Sequence, residues 1–149
     1  MGLDKAIHDL HSAHSAGQDK HTYFLLAAAG AAIGFAVQKT EGLPLTWWLL
    51  PVALATACWG ISFFFGCKNI TWVQTSIMAN YNLLQLRQGS HPEQPPHQTL
   101  VDAAIRGVEN AFDKNSTKAQ FYGIWQFRLL VAGAVFFIGW RVLEMIRIT

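Results

Sequence analysis

The feature that most constrains this chain is a run without a single charge, LTWWLLPVALATACWGISFFFG, from Leu45 to Gly66. At about 1.5 Å rise per residue, it is long enough to cross a bilayer core as one helix. The run passes straight into KNITWVQTSIMANYNLLQLRQ (68–88), in which only Lys68 and Arg87 are charged. No proline or turn cluster interrupts the join. The spacing therefore predicts one long helix over 45–88, spanning in its first half and water-side in its second.

Two further segments share the apolar character. TYFLLAAAGAAIGFAVQ (22–38) is at the short end of what spans a bilayer. The second, 121–146, has its apolar core at Leu129–Trp140, flanked by Trp125, Arg128 and Arg141, and can span with tilt. The connection KTEGLPL (39–45) is short, so the first two spans form an antiparallel hairpin. Trp47 and Trp48 fall where an interfacial aromatic belt belongs. Pro44 suits a first helical turn, while Pro51 either kinks the second helix or marks its true start.

Outside the spans, LDKAIHDLHSAHSA (3–16) fits a separate amphipathic helix, with Leu3, Ala6, Ile7 and Leu10 at helical spacing and Gly17 as its stop. GSHPEQPPHQ (89–98) is a linker, since Pro92, Pro95 and Pro96 exclude helix. Thr99 with Asp102 reads as a capping box opening a helix over 99–114. Ser116 and Thr117 are available caps for the last helix, Thr117 with Gln120 matching T-x-x-Q. The expected fold is thus an all-α membrane protein. It has three transmembrane helices, an N-terminal amphipathic helix, and a cytoplasmic helical hairpin between the second and third spans, all in one integral membrane domain.

Composition supports this class. The 149 residues are 52% hydrophobic and 13% charged, against about a quarter charged in soluble domains. A net charge of +2 with no Lys/Arg cluster gives no footing for nucleic acid. Cys58 and Cys67 are nine residues apart on one helix, on opposite faces, and cannot bridge each other. The N-terminal segment lacks the ordered parts of a signal peptide, so insertion through the first spanning helix is expected. Lys5, Lys20, Lys68, Arg87, Arg106, Lys114 and Lys118 fall on one side, and Lys39, Arg141 and Arg147 on the other. The positive-inside rule then puts the N-terminus in the cytoplasm and the C-terminus outside, in a cell (inner or plasma) membrane. On the cytoplasmic side the acceptor patterns at Asn69 and Asn115 carry no glycosylation.

Two helix faces ask for neighbours. On the first span Ala27, Gly30, Ala31 and Gly34 form a small-residue face containing a GxxxG, which lets another backbone approach closely. Packing against Ala53, Ala57 and Gly60 of the second span is the first expectation, and self-association the second. The 68–88 segment carries two apolar stripes. Ile70, Val73, Ile77, Tyr81 and Leu84 make one; Trp72, Ala79, Leu83 and Leu86 make the other. The 99–114 helix presents a single stripe, Val101, Ala104, Ile105, Val108 and Phe112, and can cover only one of them. The expectation is that Trp72, Ala79, Leu83 and Leu86 stay free as an interaction face.

Candidates for chemistry are sparse. Asp4, His8 and His11 share an arc of the N-terminal helix and could supply two or three metal ligands, though surface histidines are the simpler reading, since no Cys or second His cluster completes a tetrahedral shell. No histidine lies inside an apolar run, which argues against an embedded haem, and no cofactor is expected. Arg128 can snorkel toward the N-terminal end of its helix, which makes it a membrane-boundary charge more readily than a pore-lining one. Arg141, Glu144 and Arg147 can pair at the other boundary. Cys67 beside Lys68 fits a palmitoylation position on one residue's strength. Thr56, Cys58 and Ser62 have no base or acid near them in sequence, so the chain is not expected to be an enzyme.

The functional expectation is a protein partnered by lipid and by copies of itself or a membrane-complex partner. In the first case the oligomer forms a channel, pore or membrane-perturbing effector. The alternative is a non-catalytic accessory or scaffold subunit docked through 68–88. A third reading is metal handling by the N-terminal histidines.

Overall fold

The structure, a computed structural model, describes the backbone of residues 2–44 and 46–148 and the side chains of 20–44 and 46–147. Among these residues the fold is all-helical, with no strand. Three α-helices follow one another: α1 (Gly2–Thr40), α2 (Leu50–Gln88) and α3 (Gln98–Ile148), with a 3-10 turn, Trp47–Leu49, leading into α2. Lys20–Thr40, Trp47–Gln88 and Gln98–Arg147 each contain a segment long and apolar enough to cross a membrane.

Several expected boundaries move. The break at Gly17 is absent, and α1 runs unbroken from Gly2 to Thr40. A glycine lowers helix propensity by only about 1 kcal/mol, so it cannot end a helix whose flanks both favour one. The helix start at Ser116 and Thr117 is absent too. Thr117 Oγ1 donates to the Asp113 carbonyl at 2.8 Å, the backward bond of a mid-helix threonine. One helix, α3, thus replaces the expected pair. It opens one residue earlier than the capping box implied, with Gln98 Nε2 donating to Asp102 Oδ1 at 3.1 Å.

Other boundaries follow the sequence. Pro51 falls in the first turn of α2, where a missing N–H breaks no helical bond. The helix continues past Gly66 to Gln88. There Gly89, at φ +69°, ends it in a Schellman motif. Gly89 N–H reaches the Leu86 carbonyl at 3.3 Å and Ser90 N–H the Gln85 carbonyl at 3.0 Å.

The chain divides into two compact units, residues 1–67 with 123–149, and residues 68–122. Helices α2 and α3 contribute to both. In the first unit three helical segments meet along seams that step four and seven residues on α1, three and four on α2 and seven on α3. Leu25, Ala29 and Ala36 are buried on α1; Val52, Ala55, Trp59, Ser62 and Gly66 on α2; Gln126, Gly133 and Trp140 on α3. That alternation is the pattern of knobs-into-holes packing with shallow crossing angles. The core gathers Ala36, Val52, Ala55, Trp59 and Trp140, with Phe137 packing its ring against both tryptophans.

In the second unit the 68–88 part of α2 pairs antiparallel with the 98–122 part of α3. Asn69 Nδ2 donates to the Ala119 carbonyl at 3.1 Å near one end, and Arg87 Nη2 pairs with Glu109 at 2.6 Å near the other. Asn69, Trp72, Ser76, Ala79, Leu83 and Leu86 form the α2 seam, every one buried or half-buried. Again the steps are three and four.

Candidate functional site

The polar chemistry of the first unit is concentrated where α2 crosses α3. Trp59 Nε1 donates to the Leu130 carbonyl at 3.1 Å, and Ser62 Oγ to the Gln126 carbonyl at 2.7 Å. Side-chain donors of α2 thus bond main-chain acceptors of α3, which requires the helices to lie close together. Glycine permits that approach at two places. A Cβ at Gly133 would fall inside the Trp59 indole, and one at Gly66 would lie 2.5 Å from Gln126 Nε2 and 2.7 Å from Leu26 Cδ2.

Gln126 is the anomaly. Its side chain is 1% exposed, and neither Oε1 nor Nε2 has a hydrogen-bond partner. A buried amide in that state costs about 1–3 kcal/mol for each unsatisfied group. Sequence reasoning passed over it, because a glutamine among Trp125, Phe127 and Arg128 reads as a boundary residue. Its burial depends on Gly66, sixty residues earlier in the chain.

The small faces do not pack together, which corrects the first expectation. Ala27, Gly30, Ala31 and Gly34 are exposed, and so are Ala53, Ala57 and Gly60. A Cβ at Gly30, Gly34 or Gly60 would meet nothing within 4 Å. On helical geometry each face lies roughly 150° around its helix from the core seam. The interior took Ala29, Ala36 and Ala55 for its close contacts and Trp59 for its bulk, leaving the GxxxG face outside.

The two stripes of 68–88 are also exchanged. The face expected to stay free is covered: Leu83 is 8% exposed and Leu86 6%, with Trp72 and Ala79 half-buried beside them. Lys118 lies over the Trp72 ring at 4.2 Å. Of the other stripe, Ile77, Tyr81 and Leu84 are left open, with Met78 alongside, while Ile70 and Val73 are half-buried. The reason is polar. Asn69 and Ser76 sit on the Trp72 face, and from it Asn69 Nδ2 reaches the Ala119 carbonyl across the seam.

At the opposite end of α3, residues 43, 44, 46, 48 and 49 and the last turns of the helix border a small, partly open cavity of about 70 Å³. Trp48, Trp140, Glu144 and Arg147 line it, with Leu49 and Leu143 among its apolar walls. Glu144 Oε2 is buried and accepts no hydrogen bond. Arg141 Nη1 stands 3.7 Å from it, an ion pair too long to be a hydrogen bond. The Arg147 guanidinium instead lies over the Trp48 ring at 5.9 Å.

The remaining candidates are quickly placed. Arg128 is exposed, its guanidinium 5.6 Å from the Trp125 ring centre, one turn toward the N-terminal end of α3. That is the direction in which a snorkelling arginine reaches. Cys58 and Cys67 are not bonded to each other. The side chains of Asp4, His8 and His11 lie outside the described residues. Among the described ones no cluster of three metal-ligating groups occurs. No family model, curated protein or solved structure matches this chain.

Proposed function

We propose that this is an integral membrane protein whose copies associate through the small-residue faces of α1 and α2. The observation that carries this reading is the position of those faces. Ala27, Gly30, Ala31, Gly34, Ala53, Ala57 and Gly60 all point away from the chain's own core. In lipid, where helix association gains little from hydrophobicity, such surfaces let backbones meet closely. Cover is also in short supply within one chain, since between 11% and 28% of each apolar window is buried. Phe24, Phe35, Phe63, Phe64, Phe127 and Phe136 are among the exposed side chains, which suits contact with hydrocarbon.

In this reading the N-terminus and the 68–122 unit face the cytoplasm of a cell membrane and the C-terminus faces outward, as the Lys/Arg asymmetry favours. Any channel, pore or membrane-perturbing activity belongs to the assembly and not to one chain. Inside the three-helix unit Trp59 fills the space at Gly133 and Gln126 the space at Gly66. Crosslinking and native mass measurement of the purified protein in lipid test the reading. A defined homo-oligomer supports it; a clean monomer overturns it.

A second reading has its own observation. The open stripe Ile77, Met78, Tyr81 and Leu84 suits an accessory subunit that docks a different protein in the cytoplasm. Ile77→Glu with Tyr81→Glu should then abolish co-purification of that protein without disturbing insertion.

A further inference from the structure

We infer that the cavity beside Glu144 binds the head of an amine-bearing phospholipid, with its primary ammonium on Glu144 and its phosphate on Arg147. The inference rests on the membrane reading above, which places this end of the helices at a lipid head-group layer. Of the two basic residues near it, Arg141 pairs with Oε2 only at 3.7 Å and Arg147 lies over Trp48, so Oε2 is left without a hydrogen bond.

Three observations converge on that chemistry. Glu144 Oε2 is buried with no donor within bonding distance, a state that a ligand N–H would relieve. The donor must be cationic to gain most from a carboxylate, and charge-assisted bonds are roughly twice as strong as neutral ones. Trp48 and Trp140 line the same space, and aromatic walls favour a cation over a neutral group. Arg147 stands one turn further along the same face as Glu144, so a negative group a short linker away from the ammonium meets a guanidinium.

Size and shape narrow the class further. About 70 Å³ accommodates a small head and not a whole drug-sized molecule, for which sites run to roughly 300 Å³ or more. Leu43, Leu49 and Leu143 supply the apolar walls along which the rest of an amphiphile can leave. A trimethylammonium head would suit the tryptophans, yet it has no N–H to give Glu144. The primary amine fits both. Phosphatidylethanolamine combines that amine with a phosphate two carbons away.

The test is native mass spectrometry of the full-length protein, equilibrated with phosphatidylethanolamine and phosphatidylglycerol of identical acyl chains. Retention of phosphatidylethanolamine should exceed that of phosphatidylglycerol by about tenfold, the worth of one charge-assisted hydrogen bond. Glu144→Gln keeps the shape, removes the charge and should erase the preference. Arg147→Gln, on an exposed side chain, should lower retention of both phospholipids relative to an uncharged diacylglycerol. Equal retention of the two lipids by the unmodified protein overturns the inference, and so does a preference unchanged in Glu144→Gln. Displacement by soluble phosphoethanolamine would assign the cavity to the free head-group compound. Lack of displacement would assign it to lipid, and either result keeps the shared ammonium–phosphate chemistry. Vesicle flotation checks the membrane reading separately: a chain that floats but shows no lipid preference loses this inference alone.

Discussion

Trp59 and Gly133 share one space. The indole Nε1 reaches past the glycine to the Leu130 carbonyl at 3.1 Å, and any Cβ on residue 133 would fall inside the ring. Gln126 stands to Gly66 in the same relation, with the helices exchanged: here α3 supplies the large side chain and α2 the glycine. The α2–α3 seam is therefore keyed in both directions, and each key has a different chemical character.

The first key is a packing constraint with a hydrogen bond attached. Gly133→Ala should destabilise the protein by about 1–3 kcal/mol through overpacking, with loss of the Trp59 bond adding to it. Gly60→Ala is the contrast. That position has open space around it, so the substitution should be neutral or stabilise by up to about 1 kcal/mol from helix propensity. Denaturation midpoints in detergent decide the matter, and equal effects at the two positions would refute the keyed seam.

The second key carries a liability. Both polar atoms of the Gln126 side chain lack partners, while the bond from Ser62 goes to the residue's main-chain carbonyl. Gln126→Met keeps an unbranched chain of similar length, retains the Ser62 bond and removes the unsatisfied groups. Stability should rise by about 1–2 kcal/mol. A drop would mean that the amide is bonded in the native protein, by an internal water or a neighbouring copy. The same midpoint measurement distinguishes these outcomes.

These two keys mark where the sequence was legible and where it was not. Continuity through Gly66 could be read because nothing on either side resists helix, while Pro51 could be read only as a kink or a helix start, and the structure has it in the first turn of α2. The seams themselves were harder. Asn69, Trp72, Ser76, Ala79, Leu83 and Leu86 repeat at three and four, but recognising them means admitting asparagine and serine to a buried face. A hydropathy reading leaves those two outside and so splits the stripe. The small faces misled for a related reason. GxxxG shows that a backbone can come close, and carries no information about which backbone does. The partner of each glycine that is filled, Trp59 or Gln126, lies more than fifty residues away.

The exchanged stripes yield a test in the 68–122 unit. Leu83→Glu or Leu86→Glu now places a charge at a buried seam and should cost about 3 kcal/mol or more, enough to loosen the hairpin. Ile77→Glu and Tyr81→Glu fall on exposed positions and should stay within about 0.5 kcal/mol of the parent. Limited proteolysis of the full chain across 68–122 reads the difference directly. Rapid cleavage in the Ile77 and Tyr81 variants, with Leu83→Glu protected, would reverse the assignment of the faces.

The last test concerns assembly, and the geometry makes it unusually clean. Interface variants often damage the fold they are meant to probe, because the same residues pack within the chain. A Cβ at Gly30 or Gly34 would meet no atom within 4 Å, both glycines are exposed, and Ala27 and Ala31 are exposed beside them. Gly30→Leu with Gly34→Leu should therefore leave the helical signal and the denaturation midpoint close to those of the parent. It should also convert a homo-oligomer to smaller species, since close backbone approach is lost once bulky side chains fill the groove. Size and crosslinking pattern in lipid are the readout. If the double variant keeps the parent's oligomer with its fold intact, the α1 face is not the contact. The corresponding change on α2, Ala57→Leu with Gly60→Leu, then asks whether that helix carries the contact alone. Oligomers unaffected by both would remove the small faces from the account of assembly, and with them the ground for the proposed self-association.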